Sequence, residues 1–115
     1  MLELLEELSP PFQRMRLRHL SETELTTASI QLHSRLALVM TNRRLCLFRR
    51  GWLRLVADEV PLADITGFRR AGKAIQVETT RRSISLDFSP RPDLQAEFTR
   101  LLERILSRSG EEERS

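Results

Sequence analysis

The side chains best suited to catalysis are few in this chain, and they are not spaced for it. The single cysteine, Cys46, lies in an apolar stretch, and neither His19 nor His33 is placed to act as its base. No Cys/His group has metal-ligand spacing, and no glycine-rich string typical of a phosphate-binding loop occurs. We therefore predict that the protein is not an enzyme and has no catalytic residue, metal site or cofactor.

Arginine is the residue type that points to binding. Lys73 is the one lysine among 19 basic residues, and the net charge is +3 with a pI of about 10.3. Guanidinium groups recognise phosphates and carboxylates with paired hydrogen bonds. A genome of biased base composition also replaces lysine by arginine everywhere, so the arginines by themselves indicate no particular ligand.

Length and composition fit one globular domain. The chain has 115 residues, of which 40% are hydrophobic and 30% charged, a balance typical of folded proteins rather than disordered ones. No apolar run approaches the roughly 20 residues of a membrane-spanning helix, and Glu3, Glu6 and Glu7 stand where a signal peptide carries positive charge. We expect a cytoplasmic protein, either wholly so or peripheral at the inner face of the membrane.

Apolar and polar residues alternate through most of the chain between Thr26 and Phe88, which predicts β-strands. The stretch Ala37–Arg50 predicts a hairpin that reverses at Asn42 and Arg43, because asparagine tolerates a positive φ. The next strand is predicted to begin at Trp52. About seven short strands result, each with one apolar and one wet face.

Both ends of the chain are predicted to be helical. After Pro92, the stretch 93–107 has the apolar stripe of a helix buried on one side, formed by Leu94, Phe98, Leu101, Leu102 and Ile105. Residues 109–115 predict a disordered acidic tail. Met1–Leu8 predicts a short amphipathic helix that Pro10 and Pro11 end, and Phe12–Leu20 suits a helix or an extended edge, with the helix favoured.

These segments predict three regions: a helical extension over residues 1–22, the main domain over residues 23–108, and the tail over residues 109–115. The helix of residues 1–8 has a narrow apolar stripe, so it packs on the domain, pairs with another chain or frays. Its deletion is expected to change stability little.

Two short motifs resemble those of bacterial pleckstrin-homology and GRAM-like domains. The run 39–51, VMTNRRLCLFRRG, carries their Thr-Asn-Arg-Arg turn, and the run 60–66, VPLADIT, resembles their Ile-Pro-Leu-x-Asp-Ile segment. The resemblance covers roughly residues 24–107. It implies a mainly β fold, a PH-like barrel of about seven antiparallel strands capped by a C-terminal α-helix, here with a short N-terminal helical segment added.

The resemblance also implies where a ligand binds. In eukaryotic relatives, ligands lie among the loops that join strands 1 and 2, 3 and 4, and 6 and 7. Carried onto this sequence, those loops supply seven candidate residues: Arg35, Arg49, Arg50, Trp52, Arg54, Arg81 and Arg82. The lysine-rich first loop of inositol-phosphate binders is absent. Trp52 follows a glycine at a loop, and we expect it to be at least partly exposed.

Two classes of function remain after nucleic-acid binding is set aside, since the chain has no tyrosine and its phenylalanines lie in apolar patterns typical of a core. One is a protein-interaction or self-assembly module, which pairs through strand edges or the N-terminal helix. The other is a module that binds anionic phospholipid or a membrane surface through its arginine-rich loops. The family resemblance favours the first slightly, because bacterial members of that family look like assembly domains as often as lipid-binding ones.

Overall fold

The chain folds into two compact units divided after Leu62. The computed structural model describes residues 5–21 and 23–114, the last seven by their backbone alone. Its elements in chain order are α1 (Pro10–His19), β1 (Thr26–His33), β2 (Leu36–Thr41), β3 (Arg44–Arg50), β4 (Leu55–Pro61), a 3-10 turn (Leu62–Asp64), β5 (Ile65–Ala71), β6 (Ala74–Thr79), β7 (Ser83–Asp87) and α2 (Asp93–Arg114). The prediction of seven strands followed by a helix is confirmed.

Strands β1 to β4 form one antiparallel sheet in sequence order, and β5 to β7 form a second. Among the described residues no ladder closes these sheets into the predicted barrel. Pro61, the last residue of β4, has no N–H to donate, and the 3-10 turn follows it. The β3–β4 ladder of the first sheet therefore ends at Pro61, before the β5–β6 ladder of the second sheet begins.

The central hairpin β2–β3 of the first unit is buried on both faces, whereas the sequence predicts one wet face. Leu38 pairs with Leu47 on one face, and Val39 pairs with Cys46 on the other. All four side chains are at most 1% exposed. A sheet that is buried on both faces needs a covering layer on each face, because so many large apolar side chains are not left in contact with water.

The N-terminal residues supply that layer. Leu8, Phe12 and Met15 belong to one buried cluster with four residues of the hairpin, Ala37, Val39, Cys46 and Phe48. Leu8 is only 4% exposed, so the premise that residues 1–8 contribute nothing to the core is wrong at Leu8. We therefore expect that deleting residues 1–8 lowers stability.

The helix predicted for Met1–Leu8 is not found where it can be checked. Residues 1–4 lie outside the described residues, and Leu5 forms an isolated parallel bridge with Ser29. The helix starts instead at Pro10. This agrees with the favoured prediction of a helix over Phe12–Leu20. Proline suits the first helical turn, where its missing N–H has no partner to lose. The two prolines therefore begin a helix rather than end one.

The second unit packs α2 on β5 and β6. Leu94, Phe98 and Leu102 are at most 1% exposed, and the rings of Phe98 and Phe88 lie 5.5 Å apart. The predicted stripe is thus confirmed at these three residues, whereas its other two members, Leu101 and Ile105, are half-buried. The backbone stays helical to Arg114, past Gly110, where the sequence predicts a disordered tail. Glutamate and arginine are good helix formers, and a single glycine costs only about 1 kcal/mol.

Gln95 is a buried polar residue on α2 that the sequence pattern missed. Its side-chain amide donates to the carbonyl oxygens of Gly72 and Ala74, each at 3.0 Å, and its own oxygen accepts from Arg70. Gly72 has a φ of +61° at this turn, as the predicted glycine turn requires. Gln95 therefore fixes the helix to the β5–β6 turn.

Candidate binding surface

Two of the predicted loops meet at one end of the first sheet. The Arg50 N–H donates to the carbonyl oxygen of Arg35 at 2.8 Å, which joins the end of β3 to the β1–β2 turn. Leu36 pairs with Arg49 across β2 and β3. His33 stabilises the turn, because its Nδ1 accepts from the Arg35 N–H at 3.1 Å. The first and third loops of the sheet therefore form one surface.

The β3–β4 connection is a closed loop rather than the start of a strand. The Gly51 N–H donates to the carbonyl oxygen of Arg54 at 2.9 Å, so β4 begins at Leu55 and not at Trp52. A Cβ atom at position 51 would lie 3.3 Å from that same oxygen, which favours glycine there. We call residues 51–54 the Trp52 loop.

The tip of the Trp52 loop is the most exposed apolar site in the described chain. Trp52 is 96% exposed and Leu53 is 89% exposed. The predicted exposure of Trp52 is confirmed. Leu53 is a site residue that the sequence analysis missed, since the alternation of residues 53, 55 and 57 assigned it to a strand.

An open groove of about 370 Å³ runs beside the loop. It is lined by Pro11, Arg50, Gly51, Trp52, Leu53, Arg54 and Leu55. Pro11 brings the start of α1 to this surface, which no sequence signal indicated because residues 1–22 fall outside the family resemblance. The groove mixes apolar side chains with guanidinium groups.

Four arginines surround this end of the sheet, and we call them the arginine cluster: Arg35, Arg49, Arg50 and Arg54. All four are exposed. Within the described part of the chain, none of their side chains forms an ion pair with a carboxylate. Their positive charge is therefore not compensated by the carboxylates that the structure describes.

Arg44, on the same strand β3, shows the contrasting arrangement. Its guanidinium group donates to Glu24 Oε1 and Glu59 Oε2, each at 2.6 Å, and to the His19 carbonyl oxygen at 2.5 Å. The hydrogen bonds that Arg44 donates to Glu24 lower the pKa of Glu24 and raise the pKa of Arg44. The positive charge of Arg44 is therefore compensated by two carboxylates, and its hydrogen bonds stabilise the fold.

The same ion-paired residues border a second groove of about 360 Å³, lined by Glu24, Arg43, Arg44, Glu59 and Pro61. Its two carboxylates pair with Arg44, so this groove combines two glutamates with two arginines, whereas the groove beside the Trp52 loop is lined by arginines without glutamates.

Arg81 and Arg82 lie in the β6–β7 turn of the second unit. Thr79 Oγ1 accepts from both of their N–H groups, at 3.2 and 2.9 Å, and donates to the Arg82 carbonyl oxygen at 2.7 Å. Both residues are exposed. The structure thus brings five of the seven predicted residues together in the first unit and places the other two in a turn of the second.

Cys46 is completely buried, and burial raises its pKa to about 11. A thiol with that pKa is protonated at neutral pH and is a weak nucleophile. The part of the chain that the structure describes contains no group of three or more His, Cys, Asp or Glu side chains arranged to hold a metal ion.

The fold of this chain is similar to that of a pleckstrin-homology domain. The crystal structure of a DUF1696 family protein with a pleckstrin-homology domain from Shewanella loihica PV-4 matches this chain with a TM-score of 0.61 and 14% sequence identity. The match covers 84% of this chain and 98% of that one. No family model and no curated protein matches the sequence. Among the described residues, no helix is long and apolar enough to cross a membrane.

Proposed function

We propose that this protein is a non-enzymatic PH-type interaction module whose arginine cluster binds the anionic surface of a membrane. The observation that carries the proposal is the absence of carboxylate partners for these four arginines within the described residues. Each basic residue near an acidic bilayer contributes about 1 kcal/mol to binding. All four residues lie at the end of the first sheet where the Arg50–Arg35 hydrogen bond joins the end of β3 to the β1–β2 turn.

The position of the arginine cluster supports a surface rather than a deep pocket as the binding mode. The adjacent groove is open and shallow, and the first turn supplies a single arginine, Arg35. A buried phosphate site needs several converging donors, so we propose a low-selectivity attraction to acidic lipid. The protein would then lie in the cytoplasm or at the inner face of the membrane. The narrower assignment to bacterial GRAM-like domains stays a prediction.

Self-association is the second candidate function. Strand β4 ends the first sheet and pairs with β3 on one side, and its Val56 is 46% exposed. An apolar residue on a terminal strand favours strand addition by another chain. Light scattering across a range of protein concentrations measures this directly: a constant monomer mass would contradict it.

Vesicle sedimentation tests membrane binding. Vesicles of phosphatidylcholine and phosphatidylglycerol in equal parts are expected to sediment the protein at low salt, and less of it as salt screens the charges. The variant Arg49→Gln/Arg50→Gln is expected to lose most of this binding. A matched control, Arg69→Gln/Arg104→Gln, removes the same charge from two exposed residues elsewhere and is expected to retain it. Equal losses in both variants would show that net charge alone drives binding and would refute a localised site.

A further inference from the structure

We infer that Trp52 and Leu53 insert into the bilayer at the level of the lipid headgroups, so that the partner of this surface is a lipid bilayer and not a soluble anion. This inference rests on the proposed function, because the arginine cluster must first bring the loop to the membrane. It adds an apolar anchor to the electrostatic attraction.

The positions of the Trp52 and Leu53 side chains suit insertion. They are consecutive, and they lie at the tip of a loop that the Gly51 to Arg54 hydrogen bond closes. At 96% and 89% exposure they contact almost nothing else in the protein. Within residues 5–21 and 23–107, the other large exposed apolar residues are Leu5, Leu17, Leu25 and Val56, which are separated along the chain and less exposed.

The residues around the tip of the Trp52 loop also suit insertion. Arg50 and Arg54 flank Trp52 and Leu53, so a pair of positive charges brackets an apolar pair. Tryptophan is enriched at the membrane interface because its ring is apolar and its N–H needs a polar partner. Arginine can keep its guanidinium at the phosphates while its stem lies along apolar surface. The order Arg-Gly-Trp-Leu-Arg therefore suits the boundary between headgroups and acyl chains.

A bilayer and a soluble partner of the same charge differ in what they offer to Trp52 and Leu53. A free phosphate or an acidic polymer could pair with the arginine cluster, but it would leave the Trp52 and Leu53 side chains in water. Removing apolar side chains from water is favourable, and a bilayer supplies an apolar phase for them. Charge complementarity brings the loop to an acidic surface, and apolar burial selects lipid.

The fluorescence of Trp52 tests the inference, because it is the single tryptophan of the chain. Adding the same phosphatidylcholine and phosphatidylglycerol vesicles is expected to shift its emission to the blue and to protect it from iodide. Lipids brominated near the headgroup end of the acyl chain are expected to quench it. Soluble polyglutamate at equal charge is expected to produce none of these changes, and an equal shift with the polymer would overturn the inference.

A substitution pair gives a readout that does not depend on fluorescence. Leu53→Ser is expected to weaken vesicle binding by roughly tenfold, since it removes part of the apolar contribution. Leu17→Ser alters a leucine on α1 that is 72% exposed and is expected to change binding little. Vesicle binding with an unshifted Trp52 and a normal Leu53→Ser affinity would refute insertion while leaving the proposed function intact. The absence of sedimentation would refute both.

Discussion

Arg44 and Glu24 form a two-point ion pair: Arg44 Nε donates to Oε2 at 3.1 Å and Nη2 donates to Oε1 at 2.6 Å. The Glu24 side chain is only 4% exposed, and Thr41 Oγ1 also donates to it at 2.8 Å. Arg44 additionally binds the carbonyl oxygen of His19, the last residue of α1. The pair therefore connects the end of α1, the segment before β1 and strand β3.

Glu24→Gln is expected to lower the free energy of unfolding at pH 7 by about 2 kcal/mol, because a charge-assisted hydrogen bond is lost in a mostly buried site. The pKa of Glu24 is lower in the folded protein than its ordinary value of 4.5. Its contribution is thus complete above pH 4.5 and is lost as the pH falls through the folded-state pKa. Urea unfolding measured from pH 7 to pH 3 checks both statements.

The control for this pair is Glu97→Gln on α2. Glu97 also accepts from an arginine, Arg100, at 2.7 Å, but the Arg100 side chain is 65% exposed. Exposed pairs contribute from 0 to about 1 kcal/mol. A loss in Glu24→Gln no larger than in Glu97→Gln would show that burial does not strengthen the Arg44 pair.

The strands were predictable because the second sheet follows the simple alternation of apolar and polar residues. In β7, Ile84 and Leu86 are buried and their neighbours are exposed, as a half-wet strand requires. The hairpin β2–β3 is different, since Ala37 to Thr41 are all buried. Alternation cannot show a second covering layer, and that layer comes from residues 8–15, whose prolines were interpreted as a stop.

The candidate surface was predictable only through the family resemblance. The loop positions of the family include Arg49 and Arg50, which the structure places beside the β1–β2 turn through the Arg50–Arg35 hydrogen bond and the Leu36–Arg49 pair. The sequence could not show that the arginine cluster has no carboxylate partner among the described residues. Whether an arginine forms an ion pair depends on residues that are far away in the sequence. Arg44 pairs with Glu24, twenty residues away, whereas Arg49 does not pair with any described carboxylate.

Phe98→Ala is expected to lower the free energy of unfolding by about 3 to 5 kcal/mol, because the ring is fully buried and lies against Phe88. Glu103→Ala, an exposed position on the same helix, is expected to change it by less than about 0.5 kcal/mol. Thermal and urea unfolding measure both variants. A Phe98→Ala protein as stable as the parent would show that α2 does not contribute to the core.

Asn42→Gly tests why asparagine occupies the β2–β3 turn. The reversal of the chain at Asn42 predicts a positive φ for this residue, but every positive φ in the described chain belongs to glycine. Asn42 Oδ1 instead accepts from the Leu25 N–H at 3.0 Å. Glycine, although common in tight hairpins, is therefore expected to destabilise the protein by about 1 kcal/mol. Asn42→Asp keeps an acceptor and is expected to be milder, and a stabilising glycine would contradict this account.

Cys46 provides a test of the layer formed by the N-terminal residues. Phe12 is 1% exposed and belongs to the same buried cluster as Cys46, which is itself 0% exposed. The thiol, with a pKa of about 11, is expected to react very slowly with a disulfide reagent at neutral pH. Reaction then requires the cluster to open.

Phe12→Ala is expected to cost about 3 to 5 kcal/mol and to accelerate the reaction of Cys46 on the order of 100-fold, because it favours the open state. Arg14→Ala changes an exposed position on the same helix and is expected to leave the reaction rate near that of the parent. The rate is measured with a chromogenic disulfide under native conditions, alongside urea unfolding. If Phe12→Ala alters neither the rate nor the stability, α1 does not cover the face of β2 and β3 that carries Val39 and Cys46.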